Sequence, residues 1–458
     1  MHTRLLTQAL LGRAPAGSHS QRRYASILRG GVTALLAKLV AMLAALASVP
    51  LTLRYLGAER YGLWATLFSL LSWLSIADLG LSNGLMNALS HALGQERRDL
   101  ARDYVSTAFW GLCAIALLLG LVLALMHDRL DWQSLMHLRS AAVAAEFASA
   151  IVLAALIFAL NLPLTIVGRV FIAMQRPELA NFWAIGTTLG GLAGLVTAVA
   201  LHGGLAPLVL GFSGGQLLVA SASAAWLFVR RCPELLPGRC VSRASARRVF
   251  GVSGAFFVTQ LATLLIFQSG NFIIAHHLGP KQVAPYQVTW LLALYVQVPQ
   301  QLIGASVWAA IGEAYARADL PWIRQLIRRY SAAGLLLCVP LIIGMLIAGE
   351  PLVRWWAGAA AQPSHELILW MTAWAAELVL MQPLIAVLGG TGRLREYALC
   401  SLCAALVAVA GGWLLVDALG AVGVIASTVV SFFCLALLPA LYLVARTLRQ
   451  PPALLAHA

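Results

Sequence analysis

Two charged side chains lie within the first apolar stretches of the chain. Lys38 falls in an apolar run that begins near residue 30, and Asp78 falls late in the next run, among Leu, Ser, Trp and Ala. Charged residues inside a membrane helix are costly and usually face a polar interior or a water-filled path. At about 1.5 Å of rise per residue, both would lie roughly 10–13 Å from the same membrane face. They could form a structural ion pair, or they could handle a charged substrate, and both interpretations stay open.

Polar side chains on other apolar segments extend this set. Gln260 and Asn271 are eleven residues apart and nearly in phase on one helix face. Amide groups can bond sugar hydroxyls, and an indole can cover a sugar ring. The alternative is that such groups only hydrogen-bond between helices. We predict a substrate cavity lined by these residues: Lys38, Asp78, Asn83, Gln260, Asn271, Gln297, Gln301 and Trp308.

A further acid, Glu377, lies in the middle of a late apolar segment. Trp370, Trp374 and Met381 share its helix face. Glu377 and Asp78 are therefore the candidates for binding a coupling proton or cation. The other interpretation of Glu377 is a neutral carboxylic acid that is hydrogen-bonded to a neighbour.

The cysteines indicate no metal centre. Cys400 and Cys403 have the CxxC spacing, but they lie inside an apolar segment without further ligands. Redox and zinc sites need access to water and a complete ligand set. We expect buried structural thiols, no metal, no cofactor and no catalytic residue.

The composition places the protein in a bilayer. The 458 residues are 61% hydrophobic and 10% charged, with a mean hydropathy of +0.85. Soluble domains carry about 25% charged residues, so too little polar surface is left here to cover a water-soluble particle. The net charge of +14 comes from arginines in loops between apolar segments, which indicates membrane orientation and not nucleic-acid binding.

The apolar windows predict an all-α polytopic fold with twelve membrane helices. Each window is long enough to span, since about 20 residues cross the hydrocarbon core. The connecting loops are short, which excludes a globular catalytic domain and favours a protein that is not an enzyme. The windows are 31–56, 61–87, 104–126, 141–169, 179–201, 204–229, 249–278, 284–312, 330–349, 367–389, 397–416 and 420–445.

Charge counting gives the orientation. With twelve spans, 24 of the 31 Lys and Arg residues fall on the side of the N-terminus and 6 on the other, with Lys38 inside the membrane. Cytoplasmic loops carry the excess of positive charge, so both termini are predicted to be cytoplasmic. The acid-free leader with five arginines is interpreted as a cytoplasmic tail or as the product of an upstream start without function; the minor alternative is a mitochondrial transit peptide.

Weak internal repeats divide the chain into two halves. RYLGAERYG around Gly57 is echoed by HHLGPKQVAPY around Gly279, each after the first helix of its half. The halves would be two six-helix lobes related by pseudo-two-fold symmetry along the membrane normal. The predicted parts are an N-terminal tail, the N-terminal lobe, a basic linker, the C-terminal lobe and a C-terminal tail, at 1–29, 30–229, 230–248, 249–446 and 447–458.

The stretch from Pro50 to Ser90 carries a family likeness. PLTLRYLGAERYGLWATLFSLLSWLSIADLGLSNGLMNALS has a late Pro in helix 1, LGAERYG at the turn, and ADLGL late in helix 2. It resembles the polysaccharide transporters, the O-antigen flippase type of the multidrug/oligosaccharidyl-lipid/polysaccharide exporter superfamily. The resemblance implies a V-shaped two-lobed fold. It also implies alternating-access transfer of a polyprenyl-diphosphate-linked oligosaccharide (an O-antigen, capsule or exopolysaccharide unit) across a bacterial inner membrane.

The resemblance also implies partners: the lipid-linked oligosaccharide, membrane lipids, and a polysaccharide polymerase with its chain-length machinery. An alternative function is a cation-coupled multidrug or small-molecule antiporter. Such antiporters often use acids in helix 1 or helix 7, and neither segment has one here. A membrane glycosyltransferase or polysaccharide polymerase is the less favoured third interpretation, because the outer loops are short.

Overall fold

The chain is nearly all helical. The computed structural model describes residues 19–78, 80–126, 129, 131–138, 140–238, 245 and 253–449, and these contain no β-strand. Helices satisfy every backbone donor and acceptor within one segment, which a hydrocarbon environment requires. Ten segments of the described residues are long and apolar enough to span a membrane. The prediction of a polytopic helical membrane protein is confirmed.

The helices are numbered here in chain order. Short 3-10 or π segments join several of them. The helices are α1 His19–Leu74, α2 Leu81–Gly94, α3 Arg98–Met126, α4 Trp132–Leu135, α5 Ala141–Asn161, α6 Ile166–Ala173, α7 Pro177–Ala200, α8 Leu205–Ala225, α9 Ser253–Leu278, α10 Val283–Val296, α11 Val298–Ala316, α12 Leu320–Trp356, α13 His365–Gly390, α14 Leu394–Leu419, α15 Ala421–Phe432 and α16 Leu438–Arg449.

The described residues divide into two compact units. Helix α1 contributes to both of them. Unit 1 contains the described residues of Met1–Leu51, Leu74–Trp132 and Ser140–Phe257, and unit 2 those of Thr52–Trp73, Gln133–Arg139 and Val258–Ala458.

Unit 1 has a core built around α2. Leu81, Leu85 and Leu89 recur every fourth residue on one face of this helix and are fully buried. They belong to one cluster with residues of α3 and α6, including Val105 and Val170. A stripe at this spacing is what fixes an amphipathic helix against its neighbours.

Helices α7 and α8 pack backbone to backbone. A Cβ on Gly194 would lie 1.9 Å from the Gly211 carbonyl oxygen, and a Cβ on Gly215 would lie 2.2 Å from that of Gly190. Small residues at such crossings are typical of membrane helices, because association there depends on close van der Waals contact. This pair of helices therefore tolerates no side chain at the crossing.

Unit 2 is organised around α13. Most of this helix is buried, and its Trp374 is completely enclosed. The Trp374 ring lies 5.6 Å from that of Trp290 on α10 and 5.0 Å from that of Phe432 on α15. Stacked and edge-to-face pairs at these distances stabilise a core beyond their buried area.

Several predicted helices are interrupted. The window 61–87 breaks at a 3-10 turn, Ser75–Asp78, and 141–169 contains another, Leu162–Thr165. Gly57 has φ 73° and ψ 171° inside α1, so two helices meet there. Apolar composition predicts where a segment spans, but it does not show a local break in the hydrogen-bond ladder.

The predicted termini and linker are described only in part. Residues 1–18, 239–244, 246–252 and 450–458 lie outside the described residues. The basic linker begins with Arg230 and Arg231 at the end of a π segment, followed by a short 3-10 turn, Pro233–Leu235.

Gly194→Ala should destabilise the protein. The added methyl would collide with the Gly211 carbonyl, and overpacking of this kind costs about 1–3 kcal/mol. Gly120→Ala on α3 is the matched control, because a Cβ there meets nothing within 4 Å. Thermal unfolding in one detergent measures both. Equal midpoints for the two variants would contradict the close packing of α7 and α8.

Candidate functional site

Asp78 lies at a break in the second apolar segment. Helix α1 ends at Leu74, a 3-10 turn carries Ser75–Asp78, and Gly80 takes a left-handed φ of 76° before α2 begins. Gly80 has no side chain to cap the helix. Instead Asp78 Oδ1 accepts hydrogen bonds from the Ser82 backbone N–H and the Ser82 hydroxyl, both at 3.1 Å. A carboxylate at a helix N-terminus is favourable because unpaired N–H groups point toward it.

A second irregular segment faces this break. The Ser82 hydroxyl lies 3.4 Å from that of Thr165, which ends the 3-10 turn Leu162–Thr165. Pro163 lies within that turn and has no N–H to donate. Arg169, one turn farther on α6, is close enough to interact electrostatically with Asp78. We call Asp78, Ser82, Thr165 and Arg169 the Asp78 cluster.

The Asp78 cluster combines opposite charges with hydroxyls near an accessible surface. Asp78 and Arg169 are half-buried, and Thr165 is exposed. Polar groups at membrane depth do not face lipid; they face protein or a water-filled cavity. The cluster can therefore offer a guanidinium to an anion and acceptors to hydroxyl groups.

The other candidates in the first half of the chain have these positions. Lys38 is half-buried on α1 and takes part in an interaction. The hydrogen bonds described for Asp78 come from Ser82, so a pair between Lys38 and Asp78 stays a prediction. The side chain of Asn83 lies outside the described residues.

Asn271 is buried within unit 2. Its Nδ2 donates to Ser69 Oγ at 2.8 Å and to Gln287 Oε1 at 2.7 Å. The residue is 4% exposed. The Asn271 amide thus joins three helical segments of unit 2, α9, α10 and the second half of α1.

Gln297 is buried at the junction of α10 and α11. Its Oε1 accepts a hydrogen bond of 2.9 Å from Gln382 Nε2 on α13. Gln260 and Gln301 are half-buried and have interactions of their own. Trp308 is 39% exposed and packs against Gly389. Of the predicted cavity residues in unit 2, these last three are the more accessible.

Glu377 lies in the buried middle of α13, one turn from Trp374. It is 6% exposed, and its Oε2 has no hydrogen-bond partner in the described part of the chain. The indole nitrogen of Trp374 is likewise unpartnered there. A buried polar atom without a partner is costly, and Glu377 combines this cost with an ionisable group.

Sequence patterns did not reveal several of these contacts. Thr165 was not identified, although Pro163 inside an apolar segment is a signal for a helix irregularity. From its place near the end of an apolar segment, Arg169 would be expected to extend toward the membrane surface. In the structure it lies close enough to Asp78 to interact electrostatically. No sequence signal pairs Gln287 with Asn271 or Gln382 with Gln297. Among the described residues, no group of three or more His, Cys, Asp or Glu could hold a metal ion.

Comparison with known proteins adds the family. The family model described as polysaccharide biosynthesis protein matches residues 27–311. The chain belongs to the polysaccharide biosynthesis protein family. The resemblance seen around Gly57 is thereby confirmed. No curated protein is similar enough in sequence to count as a match.

Solved structures identify the fold. An inward-facing multidrug resistance MATE family transporter of the MOP superfamily matches with a TM-score of 0.72 and 12% identity, over 92% of this chain and 99% of that one. An outward-facing structure of such a transporter matches with a TM-score of 0.65 and 13% identity, over 93% of this chain and 96% of that one. A MOP superfamily transporter from Pyrococcus furiosus matches with a TM-score of 0.65 and 13% identity, over 93% of this chain and 97% of that one. The chain has the MATE-like transporter fold.

Asp78→Ala should destabilise the protein and Asp78→Asn should not. Alanine removes both acceptor bonds at the start of α2, and loss of such a cap costs about 0.5–2 kcal/mol. Asparagine keeps an acceptor oxygen and caps about as well as aspartate. Thermal unfolding of the purified variants measures the difference. A stability of Asp78→Ala equal to that of the wild type would show that the carboxylate does not hold the break.

Proposed function

We propose that the protein is a flippase that moves a polyprenyl-diphosphate-linked oligosaccharide across the bacterial inner membrane by alternating access. The observation that carries the proposal is the family match over residues 27–311 on a MATE-like transporter fold. A member of the polysaccharide biosynthesis family with a transporter fold needs a saccharide cargo that starts in a membrane. A lipid-linked oligosaccharide is such a cargo.

The task of this flippase is thermodynamic. No covalent bond changes, so the protein is not an enzyme and needs no cofactor. A polar head group must cross about 30 Å of hydrocarbon, where each unpaired polar group costs several kcal/mol. The protein lowers this cost by supplying polar partners along the path, while the lipid tail stays in the bilayer.

The Asp78 cluster supports this chemistry. A guanidinium can bind phosphate oxygens with two parallel hydrogen bonds, so Arg169 is suited to the diphosphate. Thr165 is exposed and presents a hydroxyl beside it. Asp78 is close enough to Arg169 to interact with it electrostatically, so a bound diphosphate would compete with Asp78 for the guanidinium. Lys38 would add a second positive charge on the same path, and Asn83 an amide.

The proposal includes twelve spans in two six-helix lobes, at 30–229 and 249–446. The apolar span Arg29–Asp78 has 50 residues, and at 1.5 Å per residue it is about 75 Å long, enough for two crossings. The break at Gly57 supplies the turn. Helices α10 and α11 together supply a further crossing, Val283–Ala316. The remaining proposed segments are the tails 1–29 and 447–458, both cytoplasmic, and the basic linker 230–248.

The second lobe has accessible polar groups of its own. Gln260, Gln301 and Trp308 are at least partly accessible and are suited to sugar hydroxyls and ring faces. Asn271 and Gln297 are buried, and each forms a hydrogen bond with a neighbouring amide. This supports a role in holding the helices in place. A polysaccharide polymerase and its chain-length machinery are the proposed partners for the product.

A cation-coupled small-molecule antiporter is the second candidate. The observation in its favour is the fold similarity to multidrug resistance MATE transporters. The proposed coupling sites are Glu377 and Asp78 in either case. Glu377 is buried, and its Oε2 has no hydrogen-bond partner among the residues that the structure describes, so it is available to a proton or cation.

Replacing Arg169 should slow transfer of the lipid-linked oligosaccharide. In proteoliposomes, a membrane-impermeant lectin reports the fraction of oligosaccharide on the outer surface. Arg169→Gln removes a charged hydrogen bond worth about 1.5–3 kcal/mol, so transfer should fall at least about tenfold. Arg169→Lys should retain an intermediate rate. Arg328→Gln, an exposed position on α12, is the matched control.

Two results would contradict the proposal. One is a wild-type protein that does not raise the lectin-accessible fraction above that of empty liposomes. The other is equal transfer by Arg169→Gln and Arg328→Gln. Transport of a small cationic drug without transfer of the oligosaccharide would favour the antiporter.

Glu377→Gln should uncouple transfer from a proton gradient. The amide has the same shape as the acid but cannot take up and release a proton. An imposed pH gradient should accelerate oligosaccharide transfer by the wild type but not by the variant. The two proteins should have similar thermal stability. Glu366→Gln, exposed at the start of the same helix, should behave like the wild type. If the gradient accelerates transfer by Glu377→Gln as much as transfer by the wild type, Glu377 is not the coupling site.

A further inference from the structure

Unit 1 contains an apolar cavity of about 320 Å³ beside the end of α8. Ligand pockets typically begin near 300 Å³. The described lining is almost entirely carbon, so it offers few partners to a polar ligand. The lining residues are Phe109, Pro163, Leu164, Val167, Ala224, Ala225, Phe228, Val229, Leu236 and Pro237.

The cavity borders the lipid phase. Val229 and Leu236 line it and are 69% and 47% exposed. Val229 belongs to the apolar span Leu205–Arg231, and we expect an exposed apolar side chain in such a span to face lipid. A hydrocarbon chain can therefore enter from the bilayer without crossing a polar barrier.

Arginines gather at the same end of unit 1. Burial raises the pKa of the Cys232 thiol, while Arg231, Arg176 and Arg98 are close enough to oppose that shift. All three arginines are exposed. Glu234 is an acid in the same neighbourhood. Together with Arg102 we call these arginines the arginine collar: Arg98, Arg102, Arg176 and Arg231.

The arginine collar contacts the cavity lining at Leu236. Arg102 Nε donates to the Leu236 carbonyl at 3.2 Å, and Leu236 lines the cavity. One and two turns farther along α3, Ser106 Oγ accepts from the Gly238 N–H at 2.9 Å and Trp110 Nε1 donates to the Gly238 carbonyl at 2.8 Å. These three side chains hold the start of the basic linker over the cavity.

We propose that the cavity and the arginine collar form a binding site for an anionic phospholipid of the cytoplasmic leaflet. One acyl chain occupies the cavity, and the phosphate lies among the arginines. Basic pockets between membrane helices on the cytoplasmic side recognise anionic head groups in this way. The cavity offers no polar partner for a saccharide, and the positive charge at its edge matches a phosphodiester. This site does not depend on the proposed cargo.

Native mass spectrometry of the purified full-length protein tests the head-group part. Phosphatidylglycerol and phosphatidylcholine with identical acyl chains are compared. The wild type should retain phosphatidylglycerol more strongly. Each basic residue near an anionic surface changes affinity about fivefold, so the triple variant Arg98→Gln, Arg176→Gln, Arg231→Gln should lose at least about tenfold. The exposed pair Arg328→Gln, Arg329→Gln is the matched control and should keep the preference.

Ala224→Phe tests the acyl-chain part, because the larger side chain would fill the cavity. It should reduce retention of both lipids, whereas Ala222→Phe, exposed on the same helix, should not. Thermal unfolding in lipid-free detergent checks that both variants are folded. If Ala224→Phe does not fold, thermal unfolding with added lipid tests the proposal instead. Phosphatidylglycerol should stabilise the wild type more than phosphatidylcholine does, and the triple arginine variant should lose this difference.

Three results would overturn the proposal. The first is equal retention of the two lipids by the wild type. The second is a triple variant that behaves like the Arg328, Arg329 control. The third is displacement of phosphatidylglycerol by inorganic pyrophosphate, which would indicate a free-phosphate site, or by an equal concentration of a polyprenyl diphosphate, which would assign the site to the cargo. None of these measurements uses the oligosaccharide, so their failure is distinct from failure of the flippase proposal.

Discussion

Hydrocarbon offers no hydrogen-bond partners, and the rest of this structure depends on that constraint. Every backbone group in a spanning segment has to be paired within the protein. A break in a helix is therefore tolerated only where side chains replace the lost bonds. Asp78 does this at the start of α2, where Gly80 has no side chain of its own to offer. The carboxylate that is costly in a membrane is thus also what permits the break.

The break brings polar groups together that a continuous helix would keep apart. Ser82 bonds to Asp78 and lies beside Thr165, at the end of another irregular segment. Arg169 lies one turn beyond Thr165 on α6. In unit 2 the side chains of Asn271 and Gln297 are buried, and each is hydrogen-bonded to another amide. The helix break thus brings opposite charges and hydroxyls together, and amide pairs such as Gln382 with Gln297 join helices within the second unit.

The helical membrane fold could be predicted because apolar length is a strong signal in membrane proteins. The stretch around Gly57 also predicted the family, and the model match confirmed it. The interruptions at Ser75–Asp78 and Leu162–Thr165 could not be predicted, because a 3-10 turn and an α-helix have the same apolar composition. The proximity of Arg169 to Asp78 depends on how α2 packs against α6, a long-range contact that no local pattern encodes. Lys38, Asp78 and Glu377 are predicted site residues because an ionisable group in hydrocarbon is unusual, and their roles stay predictions.

The central claim is that the cargo is a lipid-linked oligosaccharide and that it changes leaflets. The most direct measurement is its sidedness in cells that lack this protein, compared with cells complemented by it. Inverted inner-membrane vesicles expose the cytoplasmic leaflet to an impermeant lectin. The account predicts that the lectin-accessible lipid-linked oligosaccharide accumulates without the protein and declines when it is restored. An unchanged cytoplasmic-leaflet pool, with normal surface polysaccharide, would contradict the account.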